Sequence, residues 1–167
     1  GNEGSYSRAL IARTRTKELD NVAIISSPFQ EILFRVKPDL ILCVGVLEYS
    51  PLYMKSEDPF SKAIEYFFNN LSDNGTLIIA IENQFGLKYF SGCSEDHTGM
   101  RFEGIEGFPI TEGRRGRTYG KYNIRKILEK QGFRSIEFFY PFPDYKIPDA
   151  IISERPLSSG INMGGVV

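Results

Sequence analysis

Apolar residues along this chain keep two rhythms, broken by one long stretch that keeps neither. From Ser5 to Leu19 the spacing predicts a helix, with Ala9, Leu10, Ile11 and Ala12 near its middle and Arg8, Arg13, Arg15, Lys17 and Glu18 largely on the other side. Asp20–Asn21 ends it. Val22 to Ser26 is a short β-rich run, stopped by Ser27–Pro28 ahead of a weakly helical or irregular segment, 29–36. Leu40 to Val46 carries no charge and is mostly aliphatic, which predicts a central strand covered on both faces.

After a loop at Pro51, the run Ser56–Glu57–Asp58–Pro59 signals a helix start: acidic residues in the first turn, and a proline where its missing N–H costs little. Phe60, Ala63, Ile64, Phe67, Phe68 and Leu71 then recur at helical spacing, as expected of a helix that covers a sheet. Asp73–Asn74–Gly75 predicts a turn and Thr76 to Ile81 a second buried strand, which ends in Glu82–Asn83–Gln84.

Between about 85 and 118 the periodicity is lost. A loop of that length in a compact domain is usually functional or disordered. Its Phe85, Tyr89, Phe90, Phe102, Ile105 and Phe108 argue against disorder, so it is expected to fold as an insert over the strand ends. Tyr119 to Gln131 returns to a helical pattern, with Ile124, Ile127 and Leu128 inward and Gly132 as its stop. Arg134–Tyr140 and Ile147–Ser153 read as two strands. The link Pro141–Phe142–Pro143–Asp144–Tyr145 is too short for a crossover helix, so the pair must be antiparallel, with Phe139 on its inward side. The segment from Pro156 is rich in Gly and Ser and reads as a tail or linker.

Composition narrows the function classes. The 167 residues carry 20 Lys plus Arg against 21 Asp plus Glu, a net charge of −1, so no global field draws nucleic acid. The two cysteines, Cys43 and Cys93, form no disulfide framework, no Cys/His group has metal-ligand spacing, and a reducing cytoplasm fits best. No apolar run approaches a membrane span.

Candidate chemistry gathers at the strand ends, where open α/β sheets bind ligands. Glu48 and Tyr49 follow the first buried strand; Glu82 and Asn83 follow the second. His97, the single histidine, stands behind Glu95–Asp96. A neighbouring carboxylate there would orient or charge it for base work on a hydroxyl, or His97 simply bonds within its own loop. Arg114, Arg115 and Arg117 are candidates to pair with a phosphate or carboxylate, and Asp144 and Tyr145 sit at a proline-stiffened hairpin tip.

The succession of strand, helix, strand, helix and terminal antiparallel pair, with an acid after the central strand, resembles the second half of a class I S-adenosylmethionine-dependent methyltransferase. Segments 44–49, 81–89, 95–99 (Glu-Asp-His-Thr-Gly), 104–107 and 140–146 (Tyr-Pro-Phe-Pro-Asp-Tyr-Lys) resemble the methyltransferase-like domains of bacterial lipopolysaccharide and surface-polysaccharide gene clusters, from about Glu3 to Glu154. The resemblance implies an α/β fold with a partial Rossmann-like sheet, mostly parallel, ending in an antiparallel hairpin. It implies S-adenosylmethionine as the cofactor, contacted by Glu3, Ser27, Phe29, Glu48 and Tyr49. His97 and Glu82 are then the expected catalytic residues, and Asn83, Asp96, Arg117, Asp144 and Tyr145 the contacts to a sugar or saccharide intermediate. No metal, nucleic acid or integral membrane segment is implied. The location is the cytoplasm, at the inner membrane face if a parent protein carries the chain there.

The sequence also departs from that pattern. Such enzymes have a glycine-rich turn after their first strand, and none precedes the first helix here. Ser27 stands where the family carries an acid near the adenine. The chain therefore reads as a truncated domain, 1–155, with an insert at about 85–118 and a tail at 156–167. Such a fragment is expected to be inactive by itself, as part of a methyltransferase or of a catalytically silent partner- or saccharide-binding module. Without a neighbour on one side, Leu40–Val46 is expected to pair with Val22–Ser26, or to be covered in a homodimer.

Overall fold

The computed structural model describes residues 1–108 and 116–155. The chain forms two compact units, the first from Gly1 to Gly120 and the second from Lys121 onward. The expected arginines Arg114 and Arg115 and the Gly/Ser tail lie outside the described residues.

In the first unit, β1 (Asn2–Glu3) pairs in parallel with β2 (Ile25–Ser26), and α1 (Tyr6–Arg15) connects them. β3 (Leu40–Val44) pairs in parallel with β4 (Thr76–Ala80), from Leu40 opposite Thr76 to Val44 opposite Ala80. α2 (Ser50–Tyr53) and α3 (Pro59–Asn70) lie in that crossover. The start of α3 follows the sequence signal: the Asp58 carboxylate accepts a hydrogen bond from the Ser61 N–H at 3.1 Å, with Pro59 in the first turn. Its apolar stripe of Phe60, Ala63, Ile64 and Phe67 is buried and forms the centre of the core. The Phe60 ring packs on Tyr119 at 4.1 Å between centroids, and Phe67 stacks on Phe29 at 5.2 Å.

Several expectations give way here. β3 is not covered on both faces: Cys43 is 4% exposed, but Leu42 between its neighbours is 63% exposed, and Leu40 and Val44 also face outward. The uncharged run suits two covered faces, but only one finds a covering layer among the described residues. Val22–Ser26 does not pair with Leu40–Val46. Only Ile25–Ser26 is strand, and it takes β1 as its partner, supported by Asn2 Nδ2, which donates to Ile25 O (3.3 Å) and Ser27 O (2.8 Å). Among the described residues the sheet is three separate pairs, β3 having β4 as its one strand neighbour. Pro51 starts the short helix α2 rather than a loop, as its fixed φ allows in a first turn. In α1 only Ala9 is buried, and Leu10 and Ile11 are exposed.

The second unit consists of α5 (Lys121–Gln131), β5 (Phe139–Phe142) and β6 (Ala150–Ser153). The strands are antiparallel, as expected, from Phe139 opposite Ser153 to Phe142 opposite Ala150. β5 begins later than the sequence suggests and takes in Pro141 and Phe142, so the turn is 143–149. Phe139 is 56% exposed rather than inward, because this displaced strand leaves Tyr140 and Pro141 as its better-covered residues. Gly132, with φ 109°, stops α5 in the left-handed region that favours glycine. Glu154, just past β6, accepts from Lys121 Nζ at 2.6 Å and Arg125 at 2.8 Å, tying helix to hairpin. Lys121 holds the Glu154 carboxyl below the usual carboxylate range, against a smaller upward push from burial.

Candidate functional site

Gly45 decides where the end of β3 delivers its side chains. Its φ of 61° is a left-handed conformation, and its N–H donates to Ala80 O at 2.9 Å, the last bond of the ladder. The chain then turns into a single 3₁₀ turn over Leu47–Tyr49, which buries Leu47 and Glu48 and leaves Tyr49 partly open.

β4 leads into Glu82, Asn83 and Gln84, and the insert is fastened there. Asn83 Oδ1 accepts from the Phe85 N–H at 3.0 Å and shapes the turn, while Asn83 also bridges to Tyr119. The buried Gln84 amide clamps two points of the insert, donating to Gly104 O at 2.8 Å and accepting from Gly120 N at 3.1 Å. A Cβ on Gly120 would lie 2.7 Å from the Phe85 ring, so only glycine allows that closure.

Under this roof the loop 94–101 folds about one carboxylate. Glu95 Oε2 accepts from the backbone N–H groups of His97 and Thr98, each at 2.8 Å, and Glu95 Oε1 lies 2.9 Å from His97 Nδ1. The imidazole is buried and makes a T-shaped contact with the Tyr49 ring, the ring centroids 5.2 Å apart. Its other carboxylate neighbour, Glu82 Oε2, is 3.8 Å from Nδ1. Gly116 closes the far side: a Cβ there would meet the His97 side chain at 2.7 Å.

Asp96 faces away from the imidazole toward α4 (Leu87–Phe90), where it pairs with Lys88 and accepts from Tyr89 Oη at 3.0 Å. Asp96 and Glu82 also share a hydrogen bond, and their carboxyls are pushed apart. Burial first, and then the Asp96 charge, raises Glu82. Burial also pushes Asp96 up, but the hydrogen bonds from Lys88 and Tyr89 outweigh it and leave Asp96 below its ordinary value. As pH rises Asp96 is therefore the first of the pair to ionise and Glu82 the last. Burial, then the Asp96 hydrogen bond, raises the Tyr89 phenol, so it stays a donor.

Of the candidates read from sequence, Tyr49, Glu82, Asp96 and His97 thus meet in one cluster. Glu48 adjoins it: its carbonyl accepts from the Arg117 N–H at 2.7 Å, and its side chain is buried. The Arg117 guanidinium lies over the rings of Phe108 and Tyr119, each at 5.5 Å. Asn83 serves the turn. Glu3 stands at the end of β1, where its carboxylate accepts from Ser5 N (2.8 Å) and Arg8 (3.0 Å), contacts that lower it. Ser27 follows β2, with its hydroxyl 3.3 Å from Pro28 O. Phe29 packs its ring into the core against Phe67 and Tyr66. Asp144 and Tyr145 belong to the second unit, where Asp144 Oδ1 accepts from Lys146 N at 2.8 Å and the Tyr145 ring lies under the Lys146 ammonium.

Sequence reasoning left Lys88, Tyr89 and Gln84 out of the candidate set, and named Glu95 only beside Asp96 as a carboxylate that could orient His97. The signal for Glu95 was present: a carboxylate two and three residues ahead of free backbone N–H groups, before a glycine, is a turn-capping position. A cleft of about 520 Å³ lined in part by Gln30, Tyr53, Lys62, Tyr66 and Asn69 holds none of the candidates. Chemistry rather than volume therefore marks the strand-end cluster as the site. Among the described residues no His, Cys, Asp or Glu group could hold a metal ion, and no helix is long and apolar enough to cross a membrane.

No family model and no curated protein matches the chain. Solved structures do resemble it. An S-adenosylmethionine-dependent methyltransferase from Clostridium acetobutylicum superposes with a TM-score of 0.55 at 14% identity, covering 78% of this chain and 61% of that one. A methyltransferase from Thermotoga maritima, described as a possible histamine N-methyltransferase, gives 0.57 at 18% identity over 92% of this chain and 65% of that one. PKMT2 from Rickettsia typhi, in complex with AdoHcy, gives 0.53 at 13% identity over 83% of this chain and 33% of that one. The fold is the α/β, Rossmann-like class I fold of S-adenosylmethionine-dependent methyltransferases. The chain spans less than two thirds of the length of each of these proteins.

Proposed function

We propose that this chain is part of a methyltransferase that uses S-adenosylmethionine to methylate a hydroxyl of a sugar or related small acceptor, in lipopolysaccharide or surface-polysaccharide assembly. The observation that carries the reading is the buried Glu95–His97 pair set against Tyr49 and Glu82 at the ends of β3 and β4. A hydroxyl is a poor nucleophile until its proton leaves, and an imidazole backed by a carboxylate is suited to take it.

The residues at the strand ends fit a nucleoside cofactor by their donor set: carboxylates at Glu3 and Glu48, a hydroxyl at Ser27 and an aromatic ring at Tyr49. When bound, the cofactor supplies a methyl group on a sulfonium, a good leaving group, so the protein's work is to place the acceptor and receive its proton. With the cofactor and acceptor bound, His97 would take the proton of the acceptor O–H. Asp96, Asn83 and Arg117 are the proposed acceptor contacts. The saccharide assignment rests on the Glu-Asp-His-Thr-Gly and Pro-Asp-Tyr-Lys segments.

A second reading is a catalytically silent methyltransferase-like module that holds a partner or saccharide. Ser27, standing where the sequence pattern of such enzymes carries an acid near the adenine, favours it. Isothermal titration of the full-length protein with S-adenosylmethionine separates the two. Micromolar binding that is lost in Glu48→Ala supports the enzyme, and no binding supports the silent module.

A further inference from the structure

We propose that Glu95 is a positioning residue that fixes the neutral His97 ring with its proton on Nδ1, so that Nε2 faces the acceptor as the base. The consequence for catalysis rests on the methyltransferase reading, but the ring state itself does not. Glu95 is 2% exposed, and both of its oxygens are committed. Oε2 takes two backbone N–H groups, His97 and Thr98, each at 2.8 Å. Oε1 is left facing His97 Nδ1 at 2.9 Å. A carboxylate oxygen can only accept, so Nδ1 must donate, and the lone pair is forced onto Nε2.

The other groups around the ring do not compete for this role. Among the described residues Glu82 is the one other carboxylate within ion-pair distance of Nδ1, at 3.8 Å, beyond hydrogen-bond length, and its carboxyl is engaged with Asp96. Asp96 in turn is held by Lys88 and Tyr89. The Tyr49 ring meets the imidazole in a T-shaped contact, with centroids 5.2 Å apart. The Gly116 backbone packs directly on the imidazole, since a Cβ there would lie 2.7 Å from His97 Cδ2.

The arrangement makes Glu95→Gln an unusually specific substitution. The amide has one acceptor oxygen, and the two backbone N–H groups claim it. The NH₂ group then faces Nδ1, which must accept instead, and the proton moves to Nε2. The loop keeps its fastening while the base is switched off, the consequence known for a wrong histidine tautomer.

The test is the nitrogen NMR spectrum of the imidazole in the protein with labelled histidine, at a pH where the ring is neutral. The signal is assigned by its loss in His97→Gln. The expected result is a proton on Nδ1 in the native protein and on Nε2 in Glu95→Gln. Methyl transfer in that variant is expected to fall by about a hundredfold or more. A native ring protonated on Nε2, or a Glu95→Gln ring still protonated on Nδ1, overturns the proposal. Should Glu95→Gln fail to fold, Glu82→Gln decides with the native spectrum: retention of the Nδ1 proton supports Glu95 as the orienting group, and its loss assigns that role to Glu82. Absence of cofactor binding alongside the expected spectra would overturn the methyltransferase reading and leave the role of Glu95 standing.

Discussion

The two ends of one strand pair behave in opposite ways. Beyond their C-terminal ends, β3 and β4 support a cluster of carboxylates and an imidazole that is buried, although each of those groups prefers water. Along their outer face, Leu40, Leu42, Val44 and Ile78 are exposed, although each prefers to leave it. Burial here follows what is available to cover a surface and not polarity alone. Glu95 is buried because its oxygens meet three donors, and Asp96 is held by Lys88 and Tyr89. The aliphatic face is open because no layer lies over it among the described residues.

The comparison can be broken most forcefully at the covered face. Phe60→Ala removes a fully buried ring from against Tyr119, and urea unfolding should show a loss of about 3–5 kcal/mol. The matching truncation on the open face, Leu42→Ala, should stay within about 0.5 kcal/mol. A large loss at Leu42 would mean that something covers that face in solution.

A smaller effect is expected at the roof of the polar cluster. Gly116→Ala puts a methyl group 2.7 Å from the buried His97 ring, and the expected cost is about 1–3 kcal/mol by the same measurement. A neutral result would show that the roof is loose.

The smallest effect sharpens the electrostatic half of the comparison. Burial raises the Glu82 carboxyl, so the folded protein holds that proton more tightly than the unfolded chain does. Its contribution to stability is therefore present in acid, below the ordinary value of 4.5, and is lost as pH rises through the raised folded value. Glu82→Gln keeps a permanent donor toward Asp96 and escapes that loss. Thermal unfolding across pH should show the variant level with the native protein in acid and ahead of it near neutrality, by about 1 kcal/mol or less. A variant that lost ground as pH rose would place the shared proton on Asp96.

Local signals were legible where a few neighbouring residues settle the matter. The Asp58–Pro59 start of α3, its stripe from Phe60 to Phe67, the turn at Asp73–Gly75 and the antiparallel β5–β6 pair all followed from spacing and backbone chemistry. So did the presence of Glu48, Tyr49 and Glu82 near strand ends, since the order of apolar runs already places them there. Side-chain period within a strand says which residues share a face, but not whether anything lies over that face. The uncharged run 40–46 therefore pointed to two covered faces where one exists, and Phe139 pointed inward where a shifted start of β5 leaves it exposed.

Sequence alone thus determined the alternation of strand and helix and the carboxylate-rich composition of the strand ends, because both depend on bonds and spacings within a few residues. Tertiary structure decided which carboxylate meets which partner: Glu95 with the imidazole, Asp96 with Lys88 and Tyr89, Glu82 with Asp96. Those pairings depend on distances of about 3 Å between residues far apart in the chain, or on a loop path with no periodicity to read. Only a folded backbone, with glycines at 45, 116 and 120 where it needs them, sets such distances.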